Sequence, residues 1–322
     1  MHSDNTVPFK EPKVSAGQKN ILTTVAYYDA MDFPMTAFEI WKYLTVINDQ
    51  GSRINEQYPL HDIITELESD NIKRFIEEDN GFHFLKGRKD LVGQRIRRNK
   101  ISEQKMRIAR RAVWWLRFVP FIKFVAVTGR LAMKNAERRS DIDILVAFKK
   151  GKIFTGRFFL TGLIHLLGKR RHGKKITNRI CLNHFITDDF QVSVKDIFSA
   201  HEYSFMTPLF NGGEFGKFHA ANDWIGGYKK NFVPDPGNLK IIKDSFFPKI
   251  ARAILEKILL SAKLEQVLKK YQIGRIKKNP LTEQNGGIVI YGDEELGFWP
   301  NFENQGPKVF EQFKKTLNDL AR

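Results

Sequence analysis

Asp141 and Asp143 stand one residue apart inside the run SDIDILVAF, residues 140–148. In an extended chain residues i and i+2 point to the same side, so the two carboxylates project together with their α-carbons about 7 Å apart. Ile142, Ile144 and Val146 then face the other way. A core rejects two adjacent unpaired carboxylates, because burying charge without a partner is expensive. A divalent cation resolves the conflict. Two carboxylates so placed can share a pair of Mg²⁺ ions of the kind that clamp the attacking and leaving oxygens in phosphoryl transfer.

The elements that must position this pair can be read on either side of it. KFVAVTG (123–129) reads as a strand ending at Gly129, with a helix beginning near Leu131. A strand–glycine–helix junction lets backbone N–H groups come close to an anion at a helix N-terminus, so phosphate and metal would meet there. NRICLNHFIT (178–187) reads as the following strand. Between them GRFFLTGLIHLLGKRRHGKK (156–175) is an apolar helix followed by the cations Lys169, Arg170, Arg171, Lys174 and Lys175. That cluster is either a solvated loop or a hold on triphosphate or nucleic-acid backbone beside the site.

The segment TGRLAMKNAERRSDIDILV (128–146) resembles the polymerase-beta-like nucleotidyltransferase superfamily. Its signature is Gly-Ser, a short helix with a second glycine, and Asp-x-Asp on the next strand. The resemblance implies an α+β fold with a small mixed sheet. It also implies a Mg²⁺-dependent transfer of a nucleoside monophosphate from a nucleoside triphosphate (NTP) to a hydroxyl acceptor. Asp141 and Asp143 take the places of the two metal-binding, catalytic aspartates and Gly129 that of the phosphate-turn glycine. Arg130 stands where the family has serine, and Lys134 near the second glycine. Thr128 and Ser140 flank these positions. The third carboxylate of the superfamily falls on the strand 178–187, where Cys181 and Asn183 stand instead. Asp188, Asp189 and Asp196 come later, and His184 is either a substitute base or a structural residue. Thr128, Gly129, Arg130, Lys134, Ser140 and Asn183 form the candidate nucleotide-binding set. Arg130 and the missing carboxylate keep a second expectation open: a catalytically impaired protein of the same fold, acting as a nucleotide-sensing or nucleic-acid-binding module.

The rest of the chain divides around this core. QKNILTTVAYYDAMDFPMTAFEIWKYL (18–44) reads as helix, turn, helix, with Thr36 as an N-cap, and a third helix follows at 59–71. Asn80-Gly81 between alternating segments marks a hairpin. Three helices and a hairpin are the parts of a winged helix (19–88), but its third helix carries Asp62, Glu66, Glu68 and Asp70, a poor face for phosphate. The cations are concentrated in 86–118, a connecting helix or helix pair (89–118 as a unit) that reads as a solvated linker or a track for RNA or DNA. The catalytic domain would span 119–205. A helical C-terminal region would span 206–322, with a long amphipathic helix at 245–278, a Gly/Asn-rich tail and a closing helix at 306–322.

Composition bounds the rest. The 322 residues are 42% hydrophobic and 28% charged, which is globular, and Lys+Arg 53 against Asp+Glu 36 gives a net charge of +17 that favours polyanionic partners. A single cysteine excludes an internal disulfide framework and a cysteine-only zinc site, and the polar first residues lack a secretory pattern, so a cytoplasmic setting is expected. The apolar runs 112–129 and 153–168 are broken by Arg117, Pro120 and Lys123, and by Arg157 and His165. Both fall short of the roughly 20 uninterrupted apolar residues of a membrane span.

Overall fold

The computed structural model describes residues 15–46, 58–235, 240–279 and 288–299, together with Lys315. The expected closing helix at 306–322 therefore lies, Lys315 apart, outside the described residues. Ser15 opens α1 (Ala16–Asp29) through a capping box with Gln18, and Thr36 opens α2 (Ala37–Lys42) in the same way with Glu39. α3 (Leu60–Leu67) and the single turn α4 (Asp70–Lys73) lead to β1 (Ile76–Asp79) and β2 (Phe82–Leu85), which pair antiparallel. Asn80 and Gly81 join them, both at positive φ, the geometry that matches the twist of a two-residue hairpin.

A single helix, α5 (Asp90–Leu116), connects this unit to the central sheet. Then come β3 (Ile122–Val127), the short α6 (Gly129–Ala132), β4 (Ile142–Phe148), α7 (Ile153–Leu166) and β5 (Ile180–Thr187). After them follow α8 (Ile197–Phe205), β6 (Thr207–Phe210), α9 (Gly213–Ala221), α10 (Ile225–Tyr228), α11 (Phe246–Ile258), α12 (Ala262–Lys277), β7 (Ile288–Tyr291) and β8 (Glu295–Trp299). The six-stranded sheet runs β6-β3-β4-β5-β8-β7. Only β4 and β5 are parallel, joined by the α7 crossover that a parallel pair requires. The fold is α+β with a mixed sheet.

Strand alternation assigns the two faces. Ile142, Ile144, Val146 and Phe148 enter the core shared with α5 and α7, while Leu145 and Ala147 enter the one beneath α8 and α9 with Phe124, Tyr203 and Phe218. Asp143 shares the second face. The first core is continuous with the N-terminal helices through Ile21, Val25 and Leu116.

The region after 205, expected to be helical, also supplies three strands to this sheet. β6 is a short edge strand whose Pro208 can sit there because an edge leaves one side of the backbone unpaired. IVIYGDEELGFW (288–299), read as part of a polar tail, is a hairpin that extends the sheet past β5. The long helix expected over 245–278 is two helices. Lys152 Nζ donates to the carbonyls of Leu259, Leu260 and Ser261 at 3.2, 2.7 and 3.2 Å, and so satisfies the end of α11 before Ser261 caps α12. Glu265 of α12 in turn accepts from the N–H groups of Phe154 and Thr155 at the start of α7.

Much of the cationic charge of 86–118 turns inward, unlike a solvated track. Arg88 pairs with Asp29 and Asp32, Arg95 with Glu39, and Arg98 with Glu137. Buried Lys105 donates to the Ser140 carbonyl at 2.7 Å and to Asn178 Oδ1 at 2.8 Å. The exposed cations of α5 are Arg97, Lys100, Arg107 and Arg111.

α8 is gripped by the N-terminal helices. Tyr43 stacks on Phe205 with ring centroids 3.9 Å apart, and His201 lies between Tyr27 and Tyr28. Beside them Lys229 is fully buried, donating to Thr45 Oγ1 at 2.7 Å and to the Tyr28 hydroxyl at 3.3 Å. Burial lowers its pKa from 10.5 to about 7. The folded state therefore binds this proton less tightly than the unfolded chain, and stability rises with pH between those two values. Lys229→Met should raise the urea midpoint near pH 7 and gain little at about pH 10. A second substitution probes the crossover: a Cβ on Gly156 would meet Phe148 at 2.3 Å. Gly156→Ala should destabilise by about 1–3 kcal/mol in urea denaturation, since Phe148 is packed on Phe185 and cannot yield freely.

Candidate functional site

β3 delivers the chain to a turn that favours glycine. Gly129 has φ 62°, and a Cβ there would lie 3.0 Å from Asp143 Oδ2. The Thr128 N–H donates to the Asp143 carbonyl at 3.1 Å, so the turn is fastened to β4 at the same residue. Gly129 thus combines a left-handed backbone with close approach to a carboxylate. Asp141 precedes β4 and Asp143 lies within it, both half-buried.

β5 completes the site through an irregularity. Asp143 is paired with Cys181 and Leu145 with His184, two steps on one strand against three on the other. The extra residue is a bulge in β5, the kind of defect that re-aims a side chain. It brings Asn183 Nδ2 to 3.3 Å from Asp143 Oδ1 and leaves Asn183 Oδ1 buried with no hydrogen-bond partner. The ligand atoms of Asp141, Asp143 and Cys181 all lie within 4.8 Å of one another.

The basic loop reaches the same place. Arg171 donates its backbone N–H to the Ile180 carbonyl at 2.9 Å, which runs the loop alongside the start of β5. Its Nη1 then donates to Asp141 Oδ2 at 2.6 Å and to Cys181 Sγ at 3.4 Å.

Electrostatics follow from this crowding. Burial, and then the neighbouring Asp141 charge, push the Asp143 carboxyl up to about 7, with Cys181 and Arg171 opposing the rise. Burial pushes the Cys181 thiol well above its ordinary value, and both aspartates add to the effect, so it stays a thiol. A further carboxylate joins them from α8. Glu202 is pushed up to about 8, by burial first and then by the charges of Asp143 and Asp196; the Gly129 amide and the Trp299 indole pull the other way. Glu202 stands outside the tight group of three, yet it faces the same turn.

The remaining expected residues fall as follows. Thr128 is buried at the end of β3. Arg130 turns to Glu137 at 3.0 Å, away from the aspartate pair. Lys134 is exposed with φ 57°, a backbone conformation in which glycine is at ease. The Ser140 hydroxyl donates to the Glu137 carbonyl at 2.9 Å and is occupied locally. His184 is buried against Glu295 at 2.9 Å, a structural role and not that of a base. Asp188 and Asp189 lie at the far end of β5, on Lys150, and Asp196 caps α8 through the Ser199 N–H. None of these three lies beside the aspartate pair; Glu202, absent from the expected set, is the further acid that interacts with Asp143 and Gly129. Its signal was there in IFSAHEYSF, where it is the only acid of a helix otherwise buried among aromatic residues.

The donor set fits a hard divalent cation. Two carboxylates and an orphaned amide oxygen offer three oxygens, the donors that Mg²⁺ or Mn²⁺ takes, beside the Cys181 thiol. No family model, curated protein or solved structure matches the chain.

Asp143→Asn should strongly reduce Mn²⁺ binding, measured by isothermal titration, and Gly129→Ala should reduce it by a smaller factor, because a methyl 3.0 Å from Asp143 Oδ2 pushes that carboxylate aside. Asp141→Asn should also weaken it. Retention of full affinity in all three variants would remove the ion from this site.

Proposed function

We propose that the protein is a Mg²⁺-dependent nucleotidyltransferase that moves a nucleoside monophosphate from an NTP onto a hydroxyl, releasing pyrophosphate. The observation that carries this reading is the approach of Gly129 to Asp143 at the junction of β3 and β4. It joins a glycine turn to a same-face aspartate pair, as the resemblance to polymerase-beta-like nucleotidyltransferases requires. Lys134 adds to it by taking the left-handed conformation near the second glycine of that signature.

Asp141, Asp143 and the Asn183 amide oxygen would hold the metal, which when bound neutralises charge on the reacting phosphate. Arg171, now on Asp141, would pass from carboxylate to phosphate, an exchange of like oxygen partners for a guanidinium. Glu202, half-buried with its pKa raised to about 8, would in its ionised form take the proton of the attacking hydroxyl, the raised pKa making it a stronger base.

A second reading rests on Arg171. If the Arg171–Asp141 pair at 2.6 Å is permanent, it stands in for the metal. The chain is then a binding module whose outward cations on α5, Arg97, Lys100, Arg107 and Arg111, follow a nucleic-acid backbone.

Labelled NTPs with Mg²⁺ or Mn²⁺, incubated with cell extract, test the first reading: labelled product should form. It should fall by at least about 100-fold in Glu202→Gln with NTP binding intact. Asp143→Asn should lose binding and turnover together. The second reading expects no labelled product and retention of duplex on filters, with a log–log salt slope of about −4 that flattens when the four α5 cations become glutamine.

A further inference from the structure

α11 is built with its apolar side outward. Its inner side carries Arg252, which donates to the Arg117 carbonyl at 2.7 Å and to Asp244 at 2.6 Å, and Glu256, which accepts from the Phe121 N–H at 2.8 Å. Phe247, Ile250, Ile254 and Ile258 form one stripe at helical spacing on the opposite side, and Phe246 and Leu260 extend it. All six are exposed, Phe247 at 79% and Ile258 at 70%. A helix at the surface of a globular protein turns such a stripe to the core. A contiguous apolar surface left in water marks a contact with something else.

The charge balance of the segment that carries the stripe selects what that is. Within 240–263 the exposed charged side chains are Lys240, Lys243, Lys249, Lys257 and Lys263, while the acids Asp244 and Glu256 are both turned toward Arg252. A second copy placed face to face on a two-fold axis would set these lysines against one another, and like charges across an interface are costly. An anionic lipid surface accepts both features, since phenylalanine and isoleucine enter the acyl boundary and lysine stems reach headgroup phosphates. Trp114 and Trp115, 43% and 45% exposed, adjoin the start of the helix. Arg117 makes the link, its guanidinium 4.5 Å from the Trp114 ring and 2.9 Å from the Lys243 carbonyl. Indole rings favour the headgroup level of a bilayer.

We propose that the outer face of α11, with Trp114 and Trp115 at its edge, docks on an anionic membrane surface. The contact is peripheral, because no helix among the described residues is long and apolar enough to cross a membrane. It stands independently of the nucleotidyltransferase reading.

Flotation of the full chain with vesicles tests it, using phosphatidylcholine alone and phosphatidylcholine with about one-third phosphatidylglycerol. The chain should float with the anionic vesicles only. Lys249→Glu with Lys257→Glu should weaken that binding at least about ten-fold. The triple change Phe247→Ser, Ile250→Ser and Ile254→Ser should abolish it with an unchanged circular dichroism melt, because these side chains touch solvent. The proposal is overturned if the unaltered chain stays out of the anionic vesicle fraction, or if the serine variant floats as well as the parent. It is also overturned if the chain sediments as a dimer that the serine variant splits, which assigns the face to a second copy.

Discussion

The carboxylate of Asp143 can occupy the inner face of β4 only if something takes up its charge, and the surrounding structure is arranged around that need. Gly129 gives up its side chain so that the turn after β3 can lie against it. Asn183 leans in from a bulge in β5 to donate one hydrogen bond, and Arg171 arrives from the basic loop to hold Asp141. These partners are not enough. Asp143 remains shifted to about 7 and Glu202 to about 8, so without a cation the site keeps protons that a free carboxylate would release. A buried group left in that condition lowers stability, and sites of this kind are more often found where chemistry needs them.

Position in this site is set from far away in the chain. Glu202 is carried by α8, whose Ala200 and Tyr203 pack under the sheet while its His201 and Phe205 contact Tyr27, Tyr28 and Tyr43 of the N-terminal unit. Lys105, midway along α5, ties the Ser140 carbonyl to Asn178 and so aligns the approaches to β4 and β5. The N-terminal unit is thus part of the framework of the site.

The sequence disclosed the parts whose signals are local. Alternation in SDIDILVAF put both aspartates on one side, Asn80-Gly81 marked the hairpin, and Thr36 marked the start of α2. What it hid depends on distant partners. Lys152 ends α11 by reaching three carbonyls more than a hundred positions away, and no periodicity in 245–278 announces that break. The bulge that turns Asn183 toward Asp143 exists only in the pairing of β4 with β5. The cations of α5 read as one solvated run because composition does not tell which turn of a helix faces a carboxylate; Arg95 and Arg98 face one, Arg97 and Arg107 do not. Glu202 had no local signal of its place beside Gly129 and Asp143, because that place depends on how α8 packs and not on the pattern of the strand.

The central claim is that Asp141 and Asp143 hold a divalent cation beside a nucleotide phosphate, with Arg171 released to that phosphate. A crystal soaked with Mn²⁺ and a non-hydrolysable NTP, measured at the manganese absorption edge, tests it most directly. The account predicts an anomalous peak within bonding distance of both carboxylates and the Arg171 guanidinium moved from Asp141 onto the triphosphate. A map with Arg171 still on Asp141 and no anomalous peak between the two aspartates would contradict it.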